Sequence, residues 1–332
     1  MNIVTACFPI GPASWLPVQD REVLDRVCLE KLKEHQGKIY ENPDFELKVV
    51  DEPENYYAID MFYRIRESAK QGRKLVVLLS APENPVWITV AEMLNKFRVS
   101  ACNMEVFFTS EFANEKGEVP LWNSPYSRCG HFVKYFRNRL NEDLRMPMSQ
   151  IHFFTTENVA QYSDILAFYG GADVAYTYIN WGGGLCSIDA EAFPAETMDG
   201  LMQMGSGIVT PMPEVIAMDS MRGMFGCSGD IGNVPPCAAS VGPKDIAAAK
   251  EQFNIEYLST PGGSPSYQRY VSRLTFCGPV SPKVPATMLR LLPGCAYLSE
   301  IVARSTSPDT SNEWLPETLA KIAEKEANKE GK

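Results

Sequence analysis

The feature that most constrains the fold is the alternation of short apolar runs with amphipathic segments. Residues 74–79 (KLVVLL) are apolar from the second residue onward, which is typical of a strand covered on both faces. Strands that alternate with helices form parallel sheets. We therefore predict an α/β fold, a mainly parallel sheet with helices on both faces. The predicted strands are 74–79, 105–108, 151–154, 173–179, 237–241, 253–258 and 296–302, and the predicted helices are 85–97, 130–144, 159–169, 266–276 and 285–292.

Both ends of the chain are predicted to be helical. The apolar residues of 20–37 and 57–71 are spaced as in a helix. The segment after Pro316 has an apolar stripe, and the proline suits the first position of a helix. No internal repeat or low-complexity linker divides the chain, which favours one α/β domain with additions. The predicted organisation is an N-terminal helical extension packed on the core (1–73), the α/β domain (74–303) and a C-terminal helix (304–332).

Charge and cysteine content exclude several classes of function. The 31 basic and 41 acidic residues give a net charge of −10, so nucleic acid and anionic membranes are not expected partners. The longest apolar stretches are much shorter than the roughly 20 residues of a membrane span. Prolines interrupt the N-terminus and no basic region precedes it, so no signal peptide is expected. The nine cysteines form no Cys-x-x-Cys pair. Hence we expect a reduced, cytoplasmic protein with no metal and no cofactor.

Ligands of open α/β sheets bind beyond the carboxyl ends of the strands, which makes the loop after residues 74–79 a candidate site. This loop leads into a helix, whose N-terminus attracts anions. Ser80 and Asn84 are its candidate ligand-binding residues. The loop contains no glycine, so the alternative is a turn in which Asn84 only caps the helix.

Two further loops carry candidate catalytic groups. Glu111 follows the strand at 105–108 and is either a general base or a solvated loop residue. Three glycines after the strand at 173–179 favour close backbone approach to a ligand, with a tight turn as the alternative. Asp189 and Glu191 follow the glycines. Cys186 is a nucleophile only if its pKa is lowered, and the preferred interpretation is an inert buried thiol. The three glycines are Gly182, Gly183 and Gly184.

Two arginines are candidate phosphate ligands, because an acidic protein must place cations to bind an anion. Arg269 follows a glycine-rich turn at residues 261–265, and Arg222 lies in a methionine-rich stretch. The alternative for each is an ordinary surface charge.

The order of these elements resembles the glucosamine-6-phosphate deaminase/isomerase family and its relatives, the 6-phosphogluconolactonases. Residues 286–300 (ATMLRLLPGCAYLSE) look like the family's last helix and strand, with Leu292 where histidine is usual, and residues 236–242 (PCAASVG) resemble another of its strands. The resemblance implies a Rossmann-like sugar-phosphate isomerase/deaminase fold.

The family's functional residues carry over only in part. Arg269 falls where the family has a phosphate-binding lysine, and Arg222 lies near its phosphate-binding arginine. Ser110 replaces the catalytic aspartate, with Glu111 beside it. In a second motif of the family, Gly184 occupies the position of the aspartate and Cys186 that of the histidine. Glu191 matches the glutamate of this motif. Residues 81–85 replace the family's glycine-rich phosphate loop.

The resemblance leads to two hypotheses. In the first, the protein is an amino-sugar-phosphate deaminase or aldose–ketose isomerase that acts on a hexose phosphate. Glu111 would be the base, Glu191 and Asp189 would relay protons, and Arg222 and Arg269 would hold the phosphate. In the second, a catalytically silent homologue binds a sugar phosphate or a regulatory partner. An α/β hydrolase that uses Cys186 ranks last, because no histidine is near it in the sequence. A small-molecule sugar phosphate is the expected partner, and a homo-oligomer stays open.

Overall fold

The computed structural model describes residues 12–14, 16, 18–81, 83–257 and 267–304. The predicted helix after Pro316 and the glycine-rich turn at 261–265 lie outside these residues. So does almost all of the predicted C-terminal unit 304–332.

A seven-stranded sheet forms the centre of the fold. Its order is β1-β10-β9-β6-β2-β3-β5, and all neighbouring strands are parallel. This confirms the predicted mainly parallel α/β architecture. The strands are β1 (Phe45–Val50), β2 (Leu75–Leu79), β3 (Met104–Phe108), β5 (Ile151–His152), β6 (Val174–Thr177), β9 (Gln252–Glu256) and β10 (Gly294–Ser299).

Strand β1 was not predicted. It lies in the region expected to be a helical extension, yet it pairs with β10 from Phe45 opposite Gly294 to Val50 opposite Ser299. Only Phe45 and Leu47 of the strand are buried, so its apolar signal is weaker than that of β2. The N-terminal region therefore supplies an edge strand to the sheet, and the domain boundary at residue 73 stays a prediction.

Helices connect the strands, and the longest, α2, packs on β2, β9 and β10. Its last residue precedes Gly72, which adopts φ +61°, a conformation that glycine adopts without strain. None of the described helices is both long and apolar enough to cross a lipid bilayer. The α-helices are α1 (Arg21–Leu29), α2 (Pro53–Gln71), α3 (Asn84–Phe97), α4 (Gly130–Tyr135), α5 (Tyr162–Phe168), α6 (Met198–Leu201), α7 (Pro213–Ser220), α8 (Pro243–Ala247), α9 (Gln268–Cys277) and α10 (Glu300–Ala303).

Several predicted helices are shorter in the structure. The segment 130–144 is helical only over α4 and continues as separate turns, and residues 285–292 form a 3-10 helix. Apolar spacing alone does not distinguish these conformations. The 3-10 segments are Leu32–His35, Arg137–Arg139, Glu142–Leu144, Met148–Gln150, Val159–Gln161, Gly223–Phe225, Ile231–Asn233 and Pro285–Leu291.

A second sheet of three short strands lies beside the first. Strands β4 (Ser110–Ala113) and β7 (Gly207–Val209) both pair antiparallel with β8 (Cys237–Ser240). The predicted strand at 237–241 therefore exists but belongs to this smaller sheet. Glu111 lies within β4 and not in a loop.

Candidate functional site

The chain reverses direction across the large sheet between β2 and β6. From β2 it proceeds to β3 and β5 on one side, and then returns to β6 on the other side of β2. A crevice opens beyond the carboxyl ends of strands at such a point, and ligands of α/β proteins bind there.

A cavity of about 530 Å³ lies at this point. Its walls contain residues that directly follow or end the central strands, among them Tyr178 after β6 and Glu256 at the end of β9. Aromatic hydroxyls and ionisable groups dominate the polar part of its surface. The polar lining residues are Glu83, Asn84, His131, Tyr135, Tyr178, Arg222, Glu256, Tyr257, Tyr267 and Gln268.

Arg222 supplies positive charge to the cavity. Its Nε lies 3.1 Å from a carboxylate oxygen of Asp219, and its guanidinium lies 5.0 Å from the ring centroid of Tyr178. Burial lowers the pKa of Arg222, but Tyr178, Asp219, Tyr267 and Glu83 together raise this pKa above its usual value. Arg222 is therefore always charged and can bind an anion.

A second arginine, Arg128, lies behind this wall and is buried. It donates a hydrogen bond to the hydroxyl of Tyr178 at 3.2 Å and one to the carbonyl of Ala81 at 3.1 Å. Its Nη1 lies 3.7 Å from Asp219. Asp219 therefore lies between two arginines, and these three groups together carry one excess positive charge.

Two buried carboxyl groups face the same cavity. Glu256 accepts a hydrogen bond from the backbone N–H of Ile179 at 2.6 Å, and Glu83 accepts one from the hydroxyl of Tyr257 at 2.8 Å. Burial raises the pKa of Glu256 well above its usual value, and it also raises the pKa of Glu83. Buried acids with unequal environments are suited to general acid–base work near neutral pH.

Asn84 lies in the cavity wall as predicted, but it does not cap its helix. Its side-chain nitrogen lies 3.0 Å from Nδ1 of His131, and the N-cap position belongs to Glu83, whose side chain makes no capping hydrogen bond. Burial, assisted by Lys134, lowers the pKa of His131. The histidine is therefore neutral at pH 7 and can exchange a hydrogen bond with a hydroxyl group.

Glu111 does not line the cavity. Its buried carboxylate accepts hydrogen bonds from the backbone N–H groups of Phe112, Arg128 and Cys129 and from the hydroxyl of Ser127, at 2.6–3.0 Å. Three of these four hydrogen bonds come from residues 127–129, the segment that carries Arg128. The structure therefore places Glu111 in a supporting position, unlike the predicted base. Ser80 is also buried and does not line the cavity.

The three glycines form a packed turn outside the cavity. The side-chain oxygen of Asn180 accepts the N–H of Gly184 at 2.8 Å, and its Nδ2 donates to Asp189 and to the carbonyl of Cys186. A Cβ on Gly184 would overlap Asp189 and the carbonyl oxygen of Ile188, while Gly183 adopts φ +78°. Packing and backbone conformation explain Gly183 and Gly184, so the turn interpretation is favoured over ligand approach. Gly182 borders a separate apolar cavity.

Gly184→Ala is expected to destabilise the protein by about 1–3 kcal/mol, because the added methyl group overpacks a rigid turn. Urea unfolding followed by circular dichroism measures this change. Gly223→Ala is the matched control, since nothing lies within 4 Å of a Cβ at that position. Equal stability of the two variants would show that the turn at Gly184 is not tightly packed.

The other predicted residues are also outside the cavity. Burial raises the pKa of Asp189 to about 6, and Glu191 is exposed beside Lys283 in a different, shallower cavity. Arg269 is not among the described residues that line the switch-point cavity, although the preceding Gln268 is. Burial raises the pKa of Cys186 to about 11, which keeps its thiol protonated. Of the predicted residues, the structure therefore brings together Asn84 and Arg222.

Sequence reasoning missed Glu83, Glu256, Arg128, His131 and Tyr178. Three of them carried a usable signal, because Glu83 lies in the candidate loop after β2, Tyr178 follows β6 and Glu256 ends β9. Arg128 and His131 come from the segment after β4, and no sequence pattern places that segment beside β6.

No protein-family model matches the chain, and no curated protein matches it by sequence. Solved structures do match. A monomeric glucosamine-6-phosphate deaminase of the NagB superfamily has a TM-score of 0.61 and 15% identity, over 78% of this chain and 98% of that one. The 6-phosphogluconolactonase of Trypanosoma cruzi has a TM-score of 0.54 and 13% identity, over 82% of this chain and 98% of that one. The 6-phosphogluconolactonase of Thermotoga maritima has a TM-score of 0.53 and 13% identity, over 77% of this chain and 99% of that one. The expected fold is confirmed.

Proposed function

From the fold shared with these sugar-phosphate enzymes, we propose that the protein binds a phosphorylated sugar and transfers a proton on it, as an aldose–ketose isomerase or amino-sugar-phosphate deaminase. The observation that supports this most directly is the presence of Arg222, Glu83 and Glu256 in the same switch-point cavity. The cavity thus joins an anion-binding group to a pair of carboxyl groups with raised pKa values.

Arg222 is the proposed phosphate ligand. A guanidinium binds phosphate through charge-assisted, paired hydrogen bonds, and Asp219 and Tyr178 hold this one against the cavity wall. The four tyrosine hydroxyls and His131 offer hydrogen bonds to sugar hydroxyl groups, and the tyrosine rings offer apolar faces to the C–H side of the sugar.

The carboxyl pair is the proposed acid–base set. Aldose–ketose isomerisation takes a proton from C2 and returns one to C1, so it needs a base and a source of protons. We assign the base to Glu83, whose pKa is raised less, and proton donation to Glu256, which burial keeps protonated. Glu83 and Glu256 therefore replace Glu111, Glu191 and Asp189, which the sequence suggested for these roles.

A catalytically silent sugar-phosphate-binding protein is the second candidate. The positions of Glu111, Asp189 and Glu191 favour it, because none of the carboxylates predicted to be catalytic lines the cavity. In this alternative, Arg222 is still the phosphate ligand, and Glu83 and Glu256 recognise the sugar.

Two measurements test these proposals. Calorimetric titration with glucosamine 6-phosphate, fructose 6-phosphate and glucose 6-phosphate measures binding, and unphosphorylated glucosamine is the control. Release of ammonia and formation of the ketose phosphate measure turnover. Turnover supports the enzyme, and binding without turnover supports the silent homologue. Failure of every sugar phosphate to bind would contradict both.

Arg222→Gln is expected to weaken sugar-phosphate binding by about 10- to 100-fold, because it removes a charge-assisted pair of hydrogen bonds to phosphate. Arg73→Gln is the matched control, since Arg73 is exposed and precedes β2, at the end of that strand away from the cavity. Calorimetry of both variants gives the comparison. An unchanged Kd for Arg222→Gln would remove the phosphate assignment.

A further inference from the structure

A cluster of three different metal-binding side chains lies outside the switch-point cavity. Glu30 directly follows α1, His35 ends the 3-10 segment Leu32–His35, and Cys277 ends α9. Nε2 of His35 lies 2.9 Å from Oε2 of Glu30 and 3.6 Å from Sγ of Cys277. The three ligand atoms all lie within 4.8 Å of one another. The carboxylate and the sulfur thus approach the same ring nitrogen.

The sulfur–nitrogen distance is that of a four-coordinate zinc site. With Zn–S near 2.3 Å and Zn–N near 2.0–2.1 Å, tetrahedral geometry separates sulfur from nitrogen by about 3.6 Å. The observed separation of Sγ and Nε2 is the same, but Sγ also lies 3.9 Å from Nδ1, beside the ring, so the imidazole must turn to aim Nε2 at the ion. A carboxylate oxygen and a nitrogen on such an ion are about 3.3 Å apart, so Glu30 would need to withdraw by only a few tenths of an ångström from its present hydrogen bond.

Charge and burial also suit a divalent cation. A thiolate and a carboxylate together neutralise a charge of +2. Burial, assisted by Glu30, raises the pKa of Cys277 to about 11, while Arg273, Arg290 and Lys38 lower it. A bound zinc ion deprotonates a coordinating thiol outright. The side chains of His35 and Glu30 are 12% and 30% exposed, which leaves a route for the ion and a place for water as a fourth ligand.

The surrounding structure holds two of the ligands in place. Arg273 donates from Nε to the backbone carbonyl of Glu30 at 2.9 Å, and from Nη1 to the carbonyl of Arg269 one turn earlier in α9. This buried arginine therefore joins the residue that carries the carboxylate to the helix that carries the thiol. Groups that fix the backbone of ligand residues favour metal binding because less order must be imposed by the ion.

We propose that Glu30, His35 and Cys277 bind one Zn²⁺ ion, which joins the N-terminal region to α9. The ion takes the lone pair of Nε2, so the imidazole proton is held on Nδ1, and the thiol proton of Cys277 is released to solvent. The site links two segments of the chain in this proposal and has no catalytic role. It does not depend on the proposed function, since none of its residues lines the switch-point cavity.

Titration of the reduced, metal-free full chain with Co²⁺ tests the site. Cobalt replaces zinc and reports a thiolate ligand by a charge-transfer band and four-coordinate geometry by intense visible bands. We expect one equivalent to bind, Zn²⁺ to displace it, and Zn²⁺ to raise the melting temperature by mass action. Cys277→Ser and His35→Gln are each expected to weaken binding by more than about 100-fold. Cys227→Ser, which removes an exposed thiol elsewhere, is expected to bind like the wild type.

Several results would overturn the proposal. These are the absence of a thiolate band in the wild-type protein, equal cobalt affinity in Cys277→Ser and wild type, or loss of the band in Cys227→Ser. Circular dichroism of each metal-free variant shows whether it is folded. If Cys277→Ser does not fold, Cys277→Ala and the His35→Gln titration provide the same comparison. Sugar-phosphate binding measured on the metal-free protein keeps this result separate from that for the cavity.

Discussion

Glu256→Gln is expected to reduce turnover of a sugar phosphate by about 10²- to 10⁴-fold, the usual contribution of a positioned general acid or base. The glutamine oxygen can still accept the N–H of Ile179, which the carboxylate accepts at 2.6 Å. The fold and the Kd are therefore expected to change little. Steady-state kinetics gives kcat, and calorimetry gives the Kd. A loss confined to kcat would indicate proton transfer by this carboxyl group.

Glu92→Gln is the matched control, because this carboxylate is exposed on α3 and faces solvent. Glu83→Gln is expected to lower kcat as strongly as Glu256→Gln, since each residue supplies one half of the acid–base pair. If Glu256→Gln keeps the wild-type kcat in a protein that turns over its substrate, the acid–base assignment is wrong. If only the Kd changes, the carboxyl group recognises the sugar and does not transfer its proton.

Glu111→Ala is expected to lower the free energy of unfolding by on the order of 3 kcal/mol. The substitution leaves the N–H groups of Arg128 and Cys129 and the hydroxyl of Ser127 without their buried acceptor, and each unpaired group is destabilising. The same change loosens the segment that positions Arg128, so sugar-phosphate affinity is expected to fall as well. Urea unfolding and calorimetry measure the two effects.

Glu115→Ala is the control, because Glu115 is exposed just beyond β4. This experiment also separates the supporting role of Glu111 from the catalytic role that the sequence suggested. A base at this position would predict a variant of normal stability with little turnover. Normal stability together with lost activity would therefore contradict the supporting role and return Glu111 to the active site.

The fold could be predicted in outline because its strongest signals are local. Strands β2 and β3 are buried at every position. Their sequences are therefore apolar apart from Glu105 in β3, and the helix between them shows the expected spacing. Strand β1 escaped prediction because it is an edge strand with only two buried residues. The strand at Cys237–Ser240 was predicted correctly, but its pairing in the smaller sheet depends on contacts that its own sequence does not specify.

The alternation of strands and helices, the acidic charge and the position of Asn84 at a strand–helix junction could all be derived from the sequence, which also offered Arg222 as a candidate phosphate ligand. These are properties of neighbouring residues. Which ionisable groups meet depends on the complete fold, because the switch between β2 and β6 brings Glu83, Arg222 and Glu256 together from distant parts of the chain. Burial then raises the pKa values of the two carboxyl groups, and burial is set by the complete fold.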